Sequence, residues 1–447
     1  MTSKERISYA LSIATDTKYF ETAPDAYLKA PEIFRTFFPS KKALIIADVH
    51  TWPVLGQKVF EVMQAAGIPT EKHIIMEEEF HAEWKYVELV DAQLDAHPDA
   101  VLVSVGSGVI NDLCKLSSHH HNQSYLTLPT AASVDGYSSF GASITYQGSK
   151  QTFSCPAPIA ILADINVIAA APKHMTAAGY ADLAAKVPAG AEWMVADYVG
   201  KAPLHHDAWH VLQDHLDGFL SNPEGVAAGD PDAIADVFEG LTLSGIAMQA
   251  ARSSRPASCC DHLFSHILDM TEHRYKGKLQ SHGFQVAIGT LTMCAVFDEL
   301  FKQDLTKIDV DACVKAWPSL EQEQARALEI FKNFPAPKLG YDEITKKYDE
   351  ADVVRAQLEK VRDGWPELKT RLQAQVYSFK KMQALFKAAG APSDPSDIGV
   401  SRQQLKDMFP FVQLMRFRFN ILDLAKRGGF YDDLVEPVFA KGGAWEI

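Results

Sequence analysis

Three short segments, far apart in the chain, carry residue types that bind a catalytic metal. They are AAGYADLAAK around Asp182, SSRPASCCDHLFSH with His262 and His266, and QSHGFQVAIGT around His282. One carboxylate and two imidazoles form a ligand set that holds a divalent metal and leaves a coordination position for substrate. His262 and His266 are four residues apart, so they share one face of a predicted helix. The spacing leaves open which of the two is the ligand and which faces substrate.

The same segment around Asp182 also permits a simpler interpretation. Lys186 follows Asp182 by one helical turn, so the two side chains would form an ion pair on the protein surface. Pro188 and Gly190 come next, and we expect the helix to end or kink there.

Other histidines and cysteines favour structural roles. His206 and His210 are also four apart, but their polar neighbours indicate a solvated helix face. The three histidines at 119–121 lie between a predicted helix and strand, which indicates a solvated turn. The adjacent Cys259 and Cys260 lack a second cysteine pair to complete a tetrahedral site. All six cysteines are scattered without CxxC spacing, so we expect reduced thiols.

The segment VGSGVIND at 105–112 is a candidate nucleotide-binding turn. Gly106 and Gly108 would let the backbone approach a pyrophosphate, whose charge is stabilised by the N–H groups and dipole at a helix start. Asp48, at the end of the first strand, can accept hydrogen bonds from a ribose diol. The alternative role for Asp48 is a helix N-cap with Thr51 nearby.

A second polar loop, PTAASVDGYSS at 129–139, follows another strand. Small hydroxylated residues and Gly136 can hydrogen-bond phosphate or ribose with little steric hindrance, and Asp135 adds one carboxylate; the hydroxylated residues are Thr130, Ser133, Ser138 and Ser139. Taken by itself the segment is equally typical of a surface loop.

The elements that position these residues divide the chain into two domains. Strands at 43–49, 73–76, 100–106 and 124–129 alternate with helices at 52–66, at 82–96 and from 109, which predicts a doubly wound parallel sheet. Next, a β-hairpin turning at QGSK, 147–150, precedes a buried strand IAILAD. Beyond about Ala171 we expect helices only, with a loop at 334–340. We therefore predict a Rossmann-like α/β domain over 1–170 and an all-α domain over 171–447.

Composition limits the class of function. The 447 residues, 47% hydrophobic and 22% charged, indicate a folded protein of about two to three domains. The net charge of −14 disfavours nucleic acid as a partner. The polar N-terminus lacks the apolar core of a signal peptide, and no stretch approaches the length of a membrane span, so we expect a cytoplasmic protein.

With these segments in order, the chain resembles the superfamily of iron-containing (polyvalent metal) alcohol dehydrogenases and dehydroquinate synthases, and within it the sn-glycerol-1-phosphate dehydrogenases. The matching segments run from about residue 40 to 430 in the order of that family, and include GSGVINDLCK, LPTAASVDGYSS, AGYADLAAK, SSRPASCCDHLFSH, HGFQVAIGT and FNILDLAKRGGF. The chain departs from the family at GSG, where relatives often have GGG, and at EHRYKGKLQ, which lengthens the connection between His262 and His282.

The resemblance implies a role for each candidate residue. Asp182, His262 and His282 would bind the metal, and His266 and Asp135 would contact substrate, so that Asp135, Asp182 and His266 form the catalytic set. The dinucleotide, NAD(H) or NADP(H), would be held by Asp48, Gly106, Ser107, Gly108, Val109, Ile110, Thr130, Ala131, Ala132, Ser133 and Ser139.

The implied activity is a reversible, NAD(P)H-linked reduction of dihydroxyacetone phosphate to sn-glycerol 1-phosphate, a step of phospholipid metabolism. Zn²⁺ is the expected metal, while Ni²⁺ or Fe²⁺ satisfies the same ligands. Arg255 or Lys186 can supply the positive charge for a phosphorylated substrate, and we expect a homo-oligomer.

Three other functions remain open at this stage. The first is a dehydrogenase of an unphosphorylated polyol or aldehyde, similar to glycerol dehydrogenases. The second is a dehydroquinate synthase, although that enzyme usually has Glu where this chain has Asp182. The third is a binding protein without activity, which the intact ligand candidates disfavour.

Overall fold

The computed structural model describes residues 1–147 and 149–447, and its contacts divide the chain into two compact units. Unit 1 comprises Met1–Leu183, His206–Pro256 and Ala388–Gly390. Unit 2 comprises Ala184–His205, Ala257–Lys387 and Ala391–Ile447. The division at residue 170 predicted from the sequence is a simpler partition of the chain, and it stays a prediction.

A six-stranded parallel sheet forms the centre of unit 1, in the order β1-β8-β5-β4-β2-β3. Two further strands, β6 and β7, pair as an antiparallel hairpin. The strands of unit 1 are β1 (Tyr19–Ala23), β2 (Lys42–Asp48), β3 (Thr70–Ile75), β4 (Ala100–Gly106), β5 (Leu126–Pro129), β6 (Ala142–Tyr146), β7 (Ser149–Phe153) and β8 (Ala160–Asp164).

The sheet is covered on both faces, which explains why its central strands are continuous apolar runs. In β2, Ala43, Ile45 and Ala47 join one core cluster, and Leu44 and Ile46 join the other. Side chains of a strand alternate between the faces, so both sets must be apolar. The predicted doubly wound sheet is confirmed.

Helices cover the sheet and build the remainder of the chain. Up to residue 251 they are α1 (Ser3–Ile13), α2 (Ala30–Phe37), α3 (Gln57–Ala65), α4 (Trp84–Ala96), α5 (Gly108–His120), α6 (Ile165–Ala169), α7 (Lys173–Ala184), α8 (Lys186–Tyr198), α9 (His206–Leu212), α10 (Leu216–Phe219), α11 (Pro223–Ala228) and α12 (Pro231–Ala251). A π-helical turn, Trp52–Gly56, precedes α3.

The later helices all begin in unit 2. They are α13 (Cys260–Met270), α14 (His282–Leu300), α15 (Val310–Ala316), α16 (Leu320–Phe331), α17 (Leu339–Lys347), α18 (Ala351–Gln375), α19 (Phe379–Ala389), α20 (Arg402–Asp407), α21 (Phe409–Leu414), α22 (Ile421–Arg427) and α23 (Tyr431–Phe439). The predicted helical second half is confirmed. Among the described residues, every helix is too short or too polar to span a membrane.

Two expectations about unit 2 are wrong. Strands do not disappear after Ala171, because the EHRYKGKLQ segment forms a minimal antiparallel pair, β9 (Arg274–Tyr275) with β10 (Lys278–Leu279). The helix after Asp182 does not break at Pro188, since α8 runs through this residue and Gly190. Pro188 lies in the first turn of α8, where its missing N–H removes no helical hydrogen bond.

The predicted hairpin is confirmed, with Tyr146 paired to Ser149. Its turn was predicted at 147–150, and Gly148 lies outside the described residues. Strand β1 is absent from the sequence-based prediction, because it is a short edge strand with only Phe20 buried.

Candidate active site

The glycine turn between β4 and α5 lies in unit 1 and is tightly packed. A Cβ atom on Gly106 would come within 2.7 Å of the Ile110 side chain, and one on Gly108 within 2.9 Å of Val134. The Thr130 amide donates to the Gly106 carbonyl over 3.1 Å. Both glycines are therefore required by the packing of the turn itself, whatever binds there.

The strand order places this turn at the switch point of the sheet. From β2 the chain adds β3 on one side and then returns to add β4 on the other, so the carboxyl ends of β2 and β4 flank the switch point. Ligands of open α/β sheets bind in that crevice. Asp48 ends β2, while Gly106 ends β4 and leads into the first turn of α5.

Asp48 is held by hydrogen bonds to the residues that directly follow it. Its Oδ1 atom accepts hydrogen bonds from the amides of His50 and Thr51, both over 2.8 Å, and the Thr51 hydroxyl accepts from the Asp48 amide over 3.0 Å. These bonds close the turn before the helical segment, whose N-cap residue is Thr51 rather than Asp48. A contact with ribose stays a prediction.

The loop at 130–139 is held by polar contacts within unit 1. The Asp135 amide donates to Asp182 Oδ2 over 3.0 Å, and Asp135 Oδ2 accepts from the Ser244 hydroxyl over 2.9 Å. The Ser138 hydroxyl donates to the Thr242 carbonyl over 2.7 Å. The predicted catalytic carboxylates Asp135 and Asp182 are thus brought together by a backbone contact.

Two helices press their backbones against this loop. A Cβ atom on Gly179 of α7 would lie 2.0 Å from the Ala132 carbonyl oxygen, and one on Gly245 of α12 would lie 2.0 Å from the Ser138 hydroxyl. Only glycine fits at either position. The loop is therefore fixed between α7, which carries Asp182, and α12, which carries Ser244.

Lys115 is a buried residue of this region that sequence reasoning missed. Only 1% of it is exposed, and its Nζ atom donates to the carbonyls of Gly136 over 2.7 Å and Gly141 over 3.0 Å. Asn111 also donates to Gly136, over 3.3 Å. The signal was present in GSGVINDLCK, because a charged residue two turns into a buried helix needs partners inside the protein.

In unit 2 the structure brings two of the predicted histidines together. His262 is the third residue of α13 and His282 the first residue of α14, and their ring centroids are 5.2 Å apart. His262 is 7% exposed. A Cβ atom on Gly289 of α14 would lie 2.0 Å from the Asp261 carbonyl oxygen, so the two helices are in backbone contact beside the pair.

Each ring is held through its Nδ1 atom. His262 Nδ1 is hydrogen-bonded to the Asp261 carboxylate. The Ser265 hydroxyl donates to Gln285 Oε1 over 2.7 Å and therefore accepts from His282 Nδ1 over 3.1 Å. A hydrogen-bond partner on Nδ1 is the arrangement that orients a metal-ligating histidine, which then coordinates the metal through Nε2.

The remaining candidates occupy distinct environments. Asp182 and Lys186 are both fully buried, so the interpretation as a surface ion pair is wrong. Arg255 is 4% exposed and His266 is half-buried. Asp182 belongs to unit 1 and the two histidines to unit 2. The assignment of all three residues as ligands of one metal stays a prediction.

The dinucleotide candidates lie in or beside the glycine turn and the 130–139 loop. Half-buried members are Ser107, Gly108 and Val109, and buried members are Asp48, Gly106, Ile110, Thr130, Ala131, Ala132, Ser133 and Ser139.

In the alternative histidine pair, His206 is exposed and His210 is half-buried. The side chain of His206 is 93% exposed, and His210 Nδ1 lies 2.5 Å from the Asp214 carboxylate. This fits the expected polar helix face. Of the histidines at 119–121, His119 and His120 end α5, and His121 begins the turn that follows it. His120 pairs with Asp91 and His121 with Asp95.

Comparison with known proteins identifies the family of this chain. Residues 21–172 match the family model "Iron-containing alcohol dehydrogenase". Over 262 residues the chain is 31% identical to a glycerol-1-phosphate dehydrogenase [NAD(P)+] of Halobacterium salinarum, a match that spans 59% of this chain and 72% of the relative. The chain belongs to the iron-containing alcohol dehydrogenase family.

A second relative supports the assignment, and a solved structure supports the fold. A glycerol-1-phosphate dehydrogenase [NAD(P)+] of Halalkalibacterium halodurans is 31% identical over 260 residues, which span 57% of this chain and 64% of that relative, just under two thirds. A probable glycerol dehydrogenase from Sinorhizobium meliloti has the same fold, with a TM-score of 0.57 over 94% of this chain and 97% of its own, at 14% identity. By family, the chain is classed with the NAD(P)-dependent alcohol dehydrogenases.

Proposed function

We propose that this chain catalyses the reversible, metal-dependent and NAD(P)H-linked reduction of dihydroxyacetone phosphate to sn-glycerol 1-phosphate. The observation that carries the proposal is the pair His262 and His282, whose ring centroids are 5.2 Å apart and whose Nδ1 atoms each have a hydrogen-bond partner. The names of the relatives, glycerol-1-phosphate dehydrogenase, supply the substrate.

Asp182, His262 and His282 would hold one divalent cation, of the kind typical of the family. The donor set fits, since it consists of one carboxylate and two imidazoles, each with a hydrogen-bond partner on its Nδ1 atom. We propose Zn²⁺, while Ni²⁺ or Fe²⁺ satisfies the same donors. When bound, the cation supplies Lewis acidity toward the carbonyl or alcohol oxygen of the substrate.

The dinucleotide would lie at the switch point of the sheet. The first-turn N–H groups of α5 face the crevice after β4, and the Ser107 hydroxyl, at the N-cap, takes none of them. Gly106 to Ile110 would hold the pyrophosphate, and Thr130 to Ser133 with Ser139 would line the nicotinamide side. When bound there, the dinucleotide would supply hydride-transfer chemistry.

The protein's own side chains would then orient substrate and move the proton. The Asp135 carboxylate, fixed by Ser244, would accept a hydrogen bond from a substrate hydroxyl. His266 is half-buried, one turn from His262, and an imidazole can deliver a proton near neutral pH. Arg255 or Lys186 would neutralise the phosphate.

A substrate comparison tests the proposal. Purified protein with added Zn²⁺ should oxidise NADH or NADPH with dihydroxyacetone phosphate, and the product should be the sn-1 enantiomer of glycerol phosphate. Unphosphorylated dihydroxyacetone, the matched control, should give a rate at least about 100-fold lower, because a site that binds the phosphate group makes none of those contacts with it. Equal or better turnover of dihydroxyacetone or glycerol would replace the proposal with a polyol dehydrogenase.

A further inference from the structure

Glu192 is a fully buried carboxylate in α8 that caps two helices of unit 2 at once. Its Oε2 atom accepts a hydrogen bond from the Cys260 amide over 2.9 Å, and its Oε1 atom accepts from the Ile421 amide over 3.1 Å. Cys260 is the first residue of α13 and Ile421 the first residue of α22. One side chain therefore receives an N–H group from the start of each helix.

These contacts are energetically important because the first N–H groups of a helix have no partner within it. A negative charge at a helix start is also stabilised by the positive end of the dipole, and here two helix starts meet one carboxylate. Burial raises the pKa of Glu192, and the charge of Asp261 raises it further, while the Ile421 and Cys260 amides oppose the shift.

The capped end of α13 is the end that bears His262. Cys260 and His262 lie in the same first turn, and Asp261 between them holds His262 Nδ1. A displacement of this turn therefore displaces the ring. A metal site requires its donor atoms to be placed to within about 0.5 Å, so loss of the cap would move His262 out of the geometry that binds the metal.

We propose that Glu192 is a positioning residue, which fixes the first turn of α13 and thereby holds His262 in the geometry that binds the metal. The proposal rests on the proposed metal site. Glu192 acts through the backbone of Cys260 and does not itself contact the substrate or the metal.

A separate metal site formed by Glu192, Cys259 and Cys260 is disfavoured. Glu192, Cys259 and Cys260 place one donor atom each within 4.8 Å of one another, as a separate metal site would require. However, both carboxylate oxygens of Glu192 already accept backbone amides.

The test compares Glu192→Gln with Asp298→Asn. Asp298 of α14 accepts from the amide of Phe379, the first residue of α19, over 2.9 Å, so it caps a helix that carries neither histidine of the pair. Each variant is loaded with Co²⁺. The visible spectrum, the rate of metal release to excess chelator and the melting temperature are then measured.

We expect Glu192→Gln to release Co²⁺ about 10–100-fold faster than the wild type and to change its visible spectrum, the size of effect known for residues that orient metal ligands. Asp298→Asn should leave both unchanged even where its melting temperature falls. Glu192→Asp, which keeps the charge on a shorter chain, should lie between wild type and Glu192→Gln, and it serves as the test variant if Glu192→Gln does not fold.

Three outcomes would overturn the proposal. If Glu192→Gln keeps the wild-type spectrum and release rate while melting at a lower temperature, the role of Glu192 is structural only. If the wild type binds two ions per chain and Glu192→Gln binds one, Glu192 is itself a ligand. If the wild type binds no ion, the metal site of the proposed function fails as well.

Discussion

Two segments of this chain have the same histidine spacing and different surroundings. His262 and His266 lie in α13, and His206 and His210 lie in α9, each pair four residues apart. In the first segment His262 is buried, held by Asp261, and faces the ring of His282. In the second segment the side chain of His206 is 93% exposed.

The comparison shows that a spacing of four residues places two imidazoles on one helix face but does not make them metal ligands. A ligand needs a fixed tautomer and orientation, which come from a partner on its second nitrogen and from burial. Each segment also has an aspartate next to a histidine, Asp261 before His262 and Asp207 after His206. Only Asp261 is buried with its histidine.

The largest effect is expected from removing a histidine of the buried pair. His282→Ala should lower kcat/KM for dihydroxyacetone phosphate by more than about 100-fold, because loss of a ligand exceeds the effect of losing a residue that orients one. His206→Ala is the matched control and should retain the wild-type rate. Similar losses in both variants would remove the distinction between the two segments.

The second-largest effect is expected for Asp261→Asn. It keeps the shape of the side chain but weakens the hydrogen bond that orients His262, so we expect metal affinity to fall by about 10–100-fold. Titration of metal-free protein with Zn²⁺ measures the metal affinity. Asp207→Asn, next to the exposed histidine, should have the affinity of the wild type, and an unchanged affinity in Asp261→Asn would contradict the account.

A third prediction concerns the loop that carries Asp135. Lys115→Met leaves the carbonyls of Gly136 and Gly141 without their buried donor, so the free energy of unfolding should fall by about 1–3 kcal/mol. Chemical denaturation measures the change. Lys85→Met removes a lysine whose side chain is 61% exposed and should be nearly neutral. Equal stability of the two variants would argue against a structural role for Lys115.

The smallest effect is expected at His121. Burial tends to lower the pKa of His121, but the Ser117 carbonyl and the carboxylates of Asp95 and Asp91 outweigh it and raise this pKa. A raised pKa in the folded state means that the stabilisation is complete below pH about 6.5 and is lost as pH rises through the folded-state pKa.

Replacing His121 should therefore matter only at low pH. His121→Gln should be less stable than wild type by about 1 kcal/mol or less near pH 5.5, and the two should converge at higher pH. Melting temperatures between pH 5 and 8 would show this pH-dependent difference in stability, with His206→Gln as the control. A constant difference across this range would exclude a contribution from the charge of His121.

The fold was largely predictable from the sequence, because buried parallel strands are continuous apolar runs such as ALIIAD in β2. Strand β1 was missed, since YFETA is an edge strand with a single buried residue. The helix break was misplaced at Pro188, because a proline in the first turn and one in the middle of a helix look alike in sequence.

The candidate site was predictable only where a short motif carries it. Gly106, Gly108, Asp135 and the histidines of α13 and α14 lie in recognisable segments. Lys115 and Glu192 were missed, because what makes them important is a set of backbone partners far away in the sequence, at Gly136, Gly141, Cys260 and Ile421. A local sequence pattern does not indicate partners that are distant in the sequence.

The most direct test of the metal centre is the metal content of purified variants. After reconstitution with Zn²⁺ and removal of excess ion, the wild type and His206→Ala should each contain one ion per chain. Asp182→Asn, His262→Ala and His282→Ala should contain much less than one. If all three retained one tightly bound ion per chain, the assignment of Asp182, His262 and His282 as the metal ligands would be wrong.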